Sequence, residues 1–136
     1  MDLKNASIAV ATDDGTTVSS HFGRALYYEV IQFSNGAPVK RERREKAGHH
    51  SFAHHDHEEG HGHGEASEQK HRTMVSPILD CQALVVRGMG QGAVEHLKGA
   101  NILPVLTGLH TINEVLEAVS ADTLETDPSR IHHHHA

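Results

Sequence analysis

Short apolar runs and longer helical stripes alternate along this chain. Residues 7–12 (SIAVAT) form an apolar run that stops at Asp13-Asp14-Gly15, which predicts a first strand. Residues 16–24 are polar and too short for a helical crossover. Residues 27–33 (YYEVIQF), aromatic and β-branched, predict a second strand. Asn35-Gly36 is a hairpin turn signal, with Pro38 just beyond it. Residues 39–45 (VKRERRE) then predict a third strand, antiparallel to the second, whose charge suits an exposed edge. Residues 48–71 break the pattern: they hold almost no core-forming side chains and read as a flexible insertion. Met74, Val75, Ile78 and Leu79 supply the apolar face of a helix over roughly 68–80, in which Pro77 kinks the helix or restarts it from Ser76 as N-cap.

The second half is more regular. Residues 83–86 are continuously apolar, as in a strand buried on both faces. Gly88, Gly90 and Gly92 interrupt the run, and Ala93, Val94, Leu97 and Ala100 form one stripe of a short helix that Gly99 and Asn101 can end. Residues 102–106 are a fifth strand, and Pro104 within it points to a sheet edge. Such a strand–helix–strand unit is a right-handed crossover making a parallel pair. Thr111 and Glu114 have capping-box spacing, followed by Ile112, Val115, Leu116 and Val119 on one helical face. The sum is an α/β fold: a five-stranded mixed sheet with helices on both faces, strand two alone running the other way. The simplest order is 3-2-1-4-5, a ribonuclease H-like topology.

Composition narrows the class. The 136 residues suit one domain, and 4% aromatic content requires an aliphatic core. A formal charge of −6 with histidines neutral argues against a general nucleic-acid binder. Protonating all 15 histidines would reverse its sign. Cys81 is the only cysteine, so no disulfide framework forms and a reducing, cytosolic setting is expected. No segment reads as a signal peptide or a membrane span. Residues 132–136 (HHHHA) resemble a purification tail but could be native; they are left out of the fold and the site, so a single domain is expected over 1–131.

In open sheets of this kind ligands bind at the carboxyl ends of parallel strands where the order switches. Here that lies between strands one and four, so loop 13–24 should face loop 87–92, with the insertion beginning at the same rim. The motifs Ser20-His21-Phe22-Gly23-Arg24-Ala25, Tyr27-Tyr28, and Asp80-Cys81 before an apolar strand and a Gly-x-Gly-x-Gly turn make the chain similar to the dinitrogenase iron–molybdenum cofactor biosynthesis family: NifX, NafY and the C-terminal part of NifB. The likeness covers nearly everything except the insertion and the tail. It implies a ribonuclease H-like fold that binds and carries the iron–molybdenum cofactor or its iron–sulfur precursor, working with cofactor-assembly or nitrogenase-type proteins. Many single-domain members occur outside nitrogen fixation.

Candidate residues follow. His21 is the first-choice ligand, because imidazole coordinates iron and its HFG context matches the family; the competing reading is a residue that only caps a turn. Gly88, Gly90 and Gly92 before a helix N-terminus, with Arg24 and Arg87, could cradle an anionic cluster; the competing reading is a tight turn. The loose dinucleotide fingerprint at Gly88 fails, because no acidic residue ends the following strand. Cys81, at the opposite edge, reads as a small buried hydrophobe. In the insertion His49, His50, His54, His55, His57, His61 and His63, with interleaved carboxylates, are dense enough to hold zinc, nickel, cobalt or copper. Asp13 and Asp14 raise a two-metal nuclease, but no further carboxylate ends strand four, where Arg87 stands. The expectation is a non-enzymatic carrier of an iron–molybdenum or iron–sulfur cofactor. A divalent-metal buffer or sensor acting through the insertion is the alternative, and a metal-dependent hydrolase comes third.

Overall fold

A computed structural model describes residues 2–46 and 74–132. The histidines singled out between 49 and 63 lie outside the described residues, as does the predicted helix before Met74.

The chain opens with a 3-10 turn, Leu3–Asn5, whose N-cap Asp2 accepts from the Lys4 amide. Strand β1 (Ser7–Thr12) leads through a long loop, with a 3-10 turn at Phe22–Arg24, to β2 (Tyr27–Ser34). Asn35 and Gly36 both take positive φ, 52° and 82°, the conformation a two-residue hairpin needs to match strand twist. The hairpin returns as β3 (Ala37–Glu45), exposed as its charge predicts except at the half-buried Glu42 and Arg44.

Helical geometry at Met74 and Val75 passes into a 3-10 turn at Ser76–Ile78. Pro77 sits in its first turn, but Val75 rather than Ser76 is the N-cap. Met74, Val75 and Ile78 are buried as predicted, whereas Leu79 is 59% exposed. Tightening to three residues per turn rotates Leu79 off the face that an α-helix would have given it.

Next come β4 (Ala83–Val86), a two-residue strand β5 (Met89–Gly90), and helix α1 (Gln91–Gly99). Asn101, with φ 64°, turns the chain into β6 (Leu103–Leu106). Helix α2 (Ile112–Ser120) follows, and a 3-10 turn at Pro128–Arg130 leads to the two-residue β7 (Ile131–His132).

The main sheet has the order β3-β2-β1-β4-β6. β2 is antiparallel to both neighbours, while β1–β4 and β4–β6 are parallel. The last strand is numbered six rather than five only because β5, unpredicted, precedes it. Pro104 lies in that edge strand. β5 and β7 pair separately and in parallel, Met89 with Ile131 and Gly90 with His132. His132, the first residue of the histidine run, is thus the last residue of this small ladder.

The sheet separates two aliphatic cores. Ala9, Ala11, Tyr28, Val30, Leu84 and Val86 point to one face and meet Ala93, Val94 and Leu97 of α1. Ile8, Val10, Ile31, Phe33, Ala83 and Val85 point to the other and meet Ile112, Val115 and Val119 of α2. No helix among the described residues is long and apolar enough to cross a membrane.

Candidate functional site

β1, β4 and β6 are parallel neighbours, so their carboxyl ends share one rim. The loop after β1 is fastened there by backbone bonds. Val18 N–H donates to the His110 carbonyl at 2.8 Å, and Ser19 N–H to that of Ala11 at 2.8 Å. Arg87 N–H donates back to Ser19 at 2.9 Å, and Phe22 N–H to Gly88 at 3.0 Å. Loop 13–24 and the turn after β4 thus lie side by side at the switch between β1 and β4.

The two aspartates at the start of this loop are committed to its shape. Asp14 Oδ1 accepts from the amides of Thr16 and Thr17 at 2.9 and 2.8 Å and from the Thr17 hydroxyl. These bonds hold its carboxyl down at about 2. Asp13 accepts from the Leu26 amide at 3.0 Å. Neither is arranged as half of a carboxylate pair for metal-assisted hydrolysis.

The Ser20–Arg24 motif divides its work. Phe22 is buried in the α1-side core near Tyr28, with the Lys46 ammonium 4.5 Å from its ring centroid; the same ammonium donates to the Phe22 carbonyl. Anchoring Phe22 leaves His21 exposed at the N-cap position of the 3-10 turn, where its side chain makes no capping hydrogen bond. Its backbone is held instead by the Ser19 hydroxyl, which accepts from His21 N–H at 3.2 Å and donates to the His21 carbonyl at 3.0 Å. The turn-capping reading of His21 therefore fails for its imidazole. Arg24 ends the turn, exposed.

The three glycines have different roles. Gly88 is buried, and a Cβ there would lie 2.7 Å from the Ser20 carbonyl oxygen and 3.2 Å from ring atoms of His132. Gly90 is the N-cap of α1, and a Cβ on it would meet nothing within 4 Å. Gly92 is already inside the first turn of α1. The expected single glycine loop is thus a close contact, a strand and a helix start. Beside Gly88, the Nε of Arg87 is buried without a hydrogen-bond partner among the described residues.

Sequence reasoning missed His132. Its ring centroid lies 5.7 Å from that of His21, with the planes tilted by 52°. The available signal was Ile131, an apolar residue just after the Asp127-Pro128 turn. Among the described residues no three His, Cys, Asp or Glu side chains converge as a metal site. Cys81 is buried at the far end of β4, and burial, then the Asp80 charge, push its thiol up to about 12. That suits a packed thiol and not a ligand.

The sequence profile of the dinitrogenase iron–molybdenum cofactor family matches residues 4–122. The chain belongs to that family. No curated protein matches it. Solved structures that share the fold include the following three. A dinitrogenase candidate from Methanocaldococcus jannaschii shares 8% identity at a TM-score of 0.64, with 90% of this chain and 95% of that one covered. A NifB candidate from Thermotoga shares 23% at 0.58, covering 89% and 92%. The apo orange protein from Desulfovibrio gigas shares 19% at 0.58, covering 89% and 92%. At these identities the structures establish a common fold.

Proposed function

We propose that this protein binds and carries an iron–molybdenum cofactor or its iron–sulfur precursor as cargo, without turning over a substrate. The observation that carries this reading is the exposed His21 imidazole, which makes no capping hydrogen bond and stands on the loop bonded to the turn after β4, its backbone held by Ser19 and its neighbour Phe22 buried. A neutral imidazole is a competent iron ligand. Arg87, on the turn after β4, has a buried Nε without a hydrogen-bond partner among the described residues, and its cation is of the kind that suits an anionic cluster or an organic acid attached to one. Arg24 stands on the same turn as His21. Family membership supports the choice of cargo, and the order and directions of the strands support assignment to the ribonuclease H-like group. The single buried thiol fits a reducing, cytosolic setting.

Anaerobic titration with the cofactor or precursor, followed by visible absorption, tests the proposal. The folded protein should take up the cluster and become coloured. His21→Ala should weaken uptake by about tenfold or more, the scale of one lost ligand interaction, while the far-ultraviolet circular dichroism stays unchanged. Undiminished uptake by His21→Ala would remove His21 from the site.

A further inference from the structure

We propose that His21 and His132 together bind one divalent late transition-metal ion, with His132 delivered by the C-terminal strand. Four features position this second imidazole. Leu106 N–H donates to the Thr126 hydroxyl at 3.0 Å, and Asp127 N–H to the Leu106 carbonyl at 2.8 Å, so the chain is fastened at the end of β6. Asp127 caps the Pro128–Arg130 turn by accepting from Ser129 N–H, and its carboxylate lies 3.5 Å from the Arg130 guanidinium. Ile131 packs against the α1-side core, and its pairing with Met89 sets the register of β7. Finally, Gly88 lacks the side chain that would crowd the His132 ring, so the imidazole lies over its backbone and faces His21.

The separation suits a shared ion. Two imidazoles on one tetrahedral metal, each with a metal–nitrogen bond of about 2.0–2.1 Å, have ring centroids about 5 Å apart. The observed 5.7 Å is within reach of a side-chain rotation, and both residues are exposed. Two nitrogens without a third convergent ligand among the described residues leave coordination positions for water or a bound molecule. Imidazole donors with open positions favour copper, nickel and zinc over magnesium or calcium. Binding should accordingly be exchangeable rather than structural.

The site shares His21 with the cargo reading, but its test uses a bare ion, so either can fail alone. A full-length chain with the histidines of 49–71 and 133–135 replaced by asparagine removes competing ligands. Copper(II) is titrated into it by calorimetry, and the nitrogen couplings are counted by electron paramagnetic resonance. One ion with two coupled nitrogens is expected. His132→Ala and His21→Ala should each lose one nitrogen and at least about tenfold in affinity. His110→Ala, on the loop after β6, should change neither. Retention of two nitrogens in His132→Ala, or no uptake by the parent because the rings merely pack together, would overturn the proposal.

Discussion

The carbonyl oxygen of Ser20 occupies the space in which a side chain at position 88 would begin. Gly88 is required for room, since its φ lies outside the left-handed region. Gly88→Ala should therefore act as overpacking: a backbone atom 2.7 Å away must shift, at a cost of about 1–3 kcal/mol. A lower urea midpoint at unchanged slope would show it. Gly23→Ala, where a Cβ meets nothing within 4 Å, is the matched control and should not lower the midpoint. Glu29 illustrates a second use of a buried residue. It is 6% exposed and bonds Arg41 at 2.9 Å and Arg43 at 3.1 Å. Arg41 also donates to the Gly15 carbonyl at 2.8 Å, so the carboxylate ties the edge strand β3 to the loop that presents His21.

Among the elements, α2 depends on local chemistry. Thr111 Oγ1 accepts from Glu114 N–H at 3.1 Å, and Glu114 accepts from the Thr111 amide at 3.0 Å, completing a capping box. Thr111→Ala should cost about 1 kcal/mol in urea unfolding, and Thr111→Ser should restore most of it. This helix was legible in the sequence because cap and apolar stripe agree. The five main strands were legible for the same kind of reason: each has a burial pattern long enough to show, and the order 3-2-1-4 then last strand follows from connection lengths. The meeting of loops 13–24 and 87–88 needed nothing further, since it depends only on that order. β5 and β7 were not legible, because two residues carry no periodicity. They pair only after the rest of the fold has brought residues 89 and 131 together. The turn at Ser76–Ile78 was half legible: Pro77 marks a break, but the tighter winding that exposes Leu79 is not written in the apolar spacing. His132 is hard to tell from the histidines that follow it, and only the apolar Ile131 before it marks it off.

At the scale of the whole molecule, one sheet supports two cores, and several carboxylates on its connections titrate low. Asp14 is held at about 2 by the Thr16 and Thr17 amides. Asp80 is lowered by its paired hydrogen bonds to Arg44, at 2.7 and 3.1 Å, and Glu114 by the Thr111 and His110 amides. Each carboxylate has a folded-state value below its unfolded one, so its contribution is complete above about pH 4.5 and is lost as pH falls through the folded value. Urea midpoints should hold steady downward from neutrality with respect to these groups, then decline between about pH 4 and 2. Asp80→Asn should show a shallower decline in that window. The small β5–β7 ladder has a different consequence. It is only two residue pairs long, so the C-terminal segment opens at lower cost than either core, lifting only Ile131 from the α1-side cluster. Detachment withdraws His132 from His21 and uncovers Gly88. Occupancy between the two rings and attachment of the chain end are then one equilibrium seen from two sides, each strengthening the other by the same factor. The last strand thereby becomes a gauge of whether the two rings share an ion.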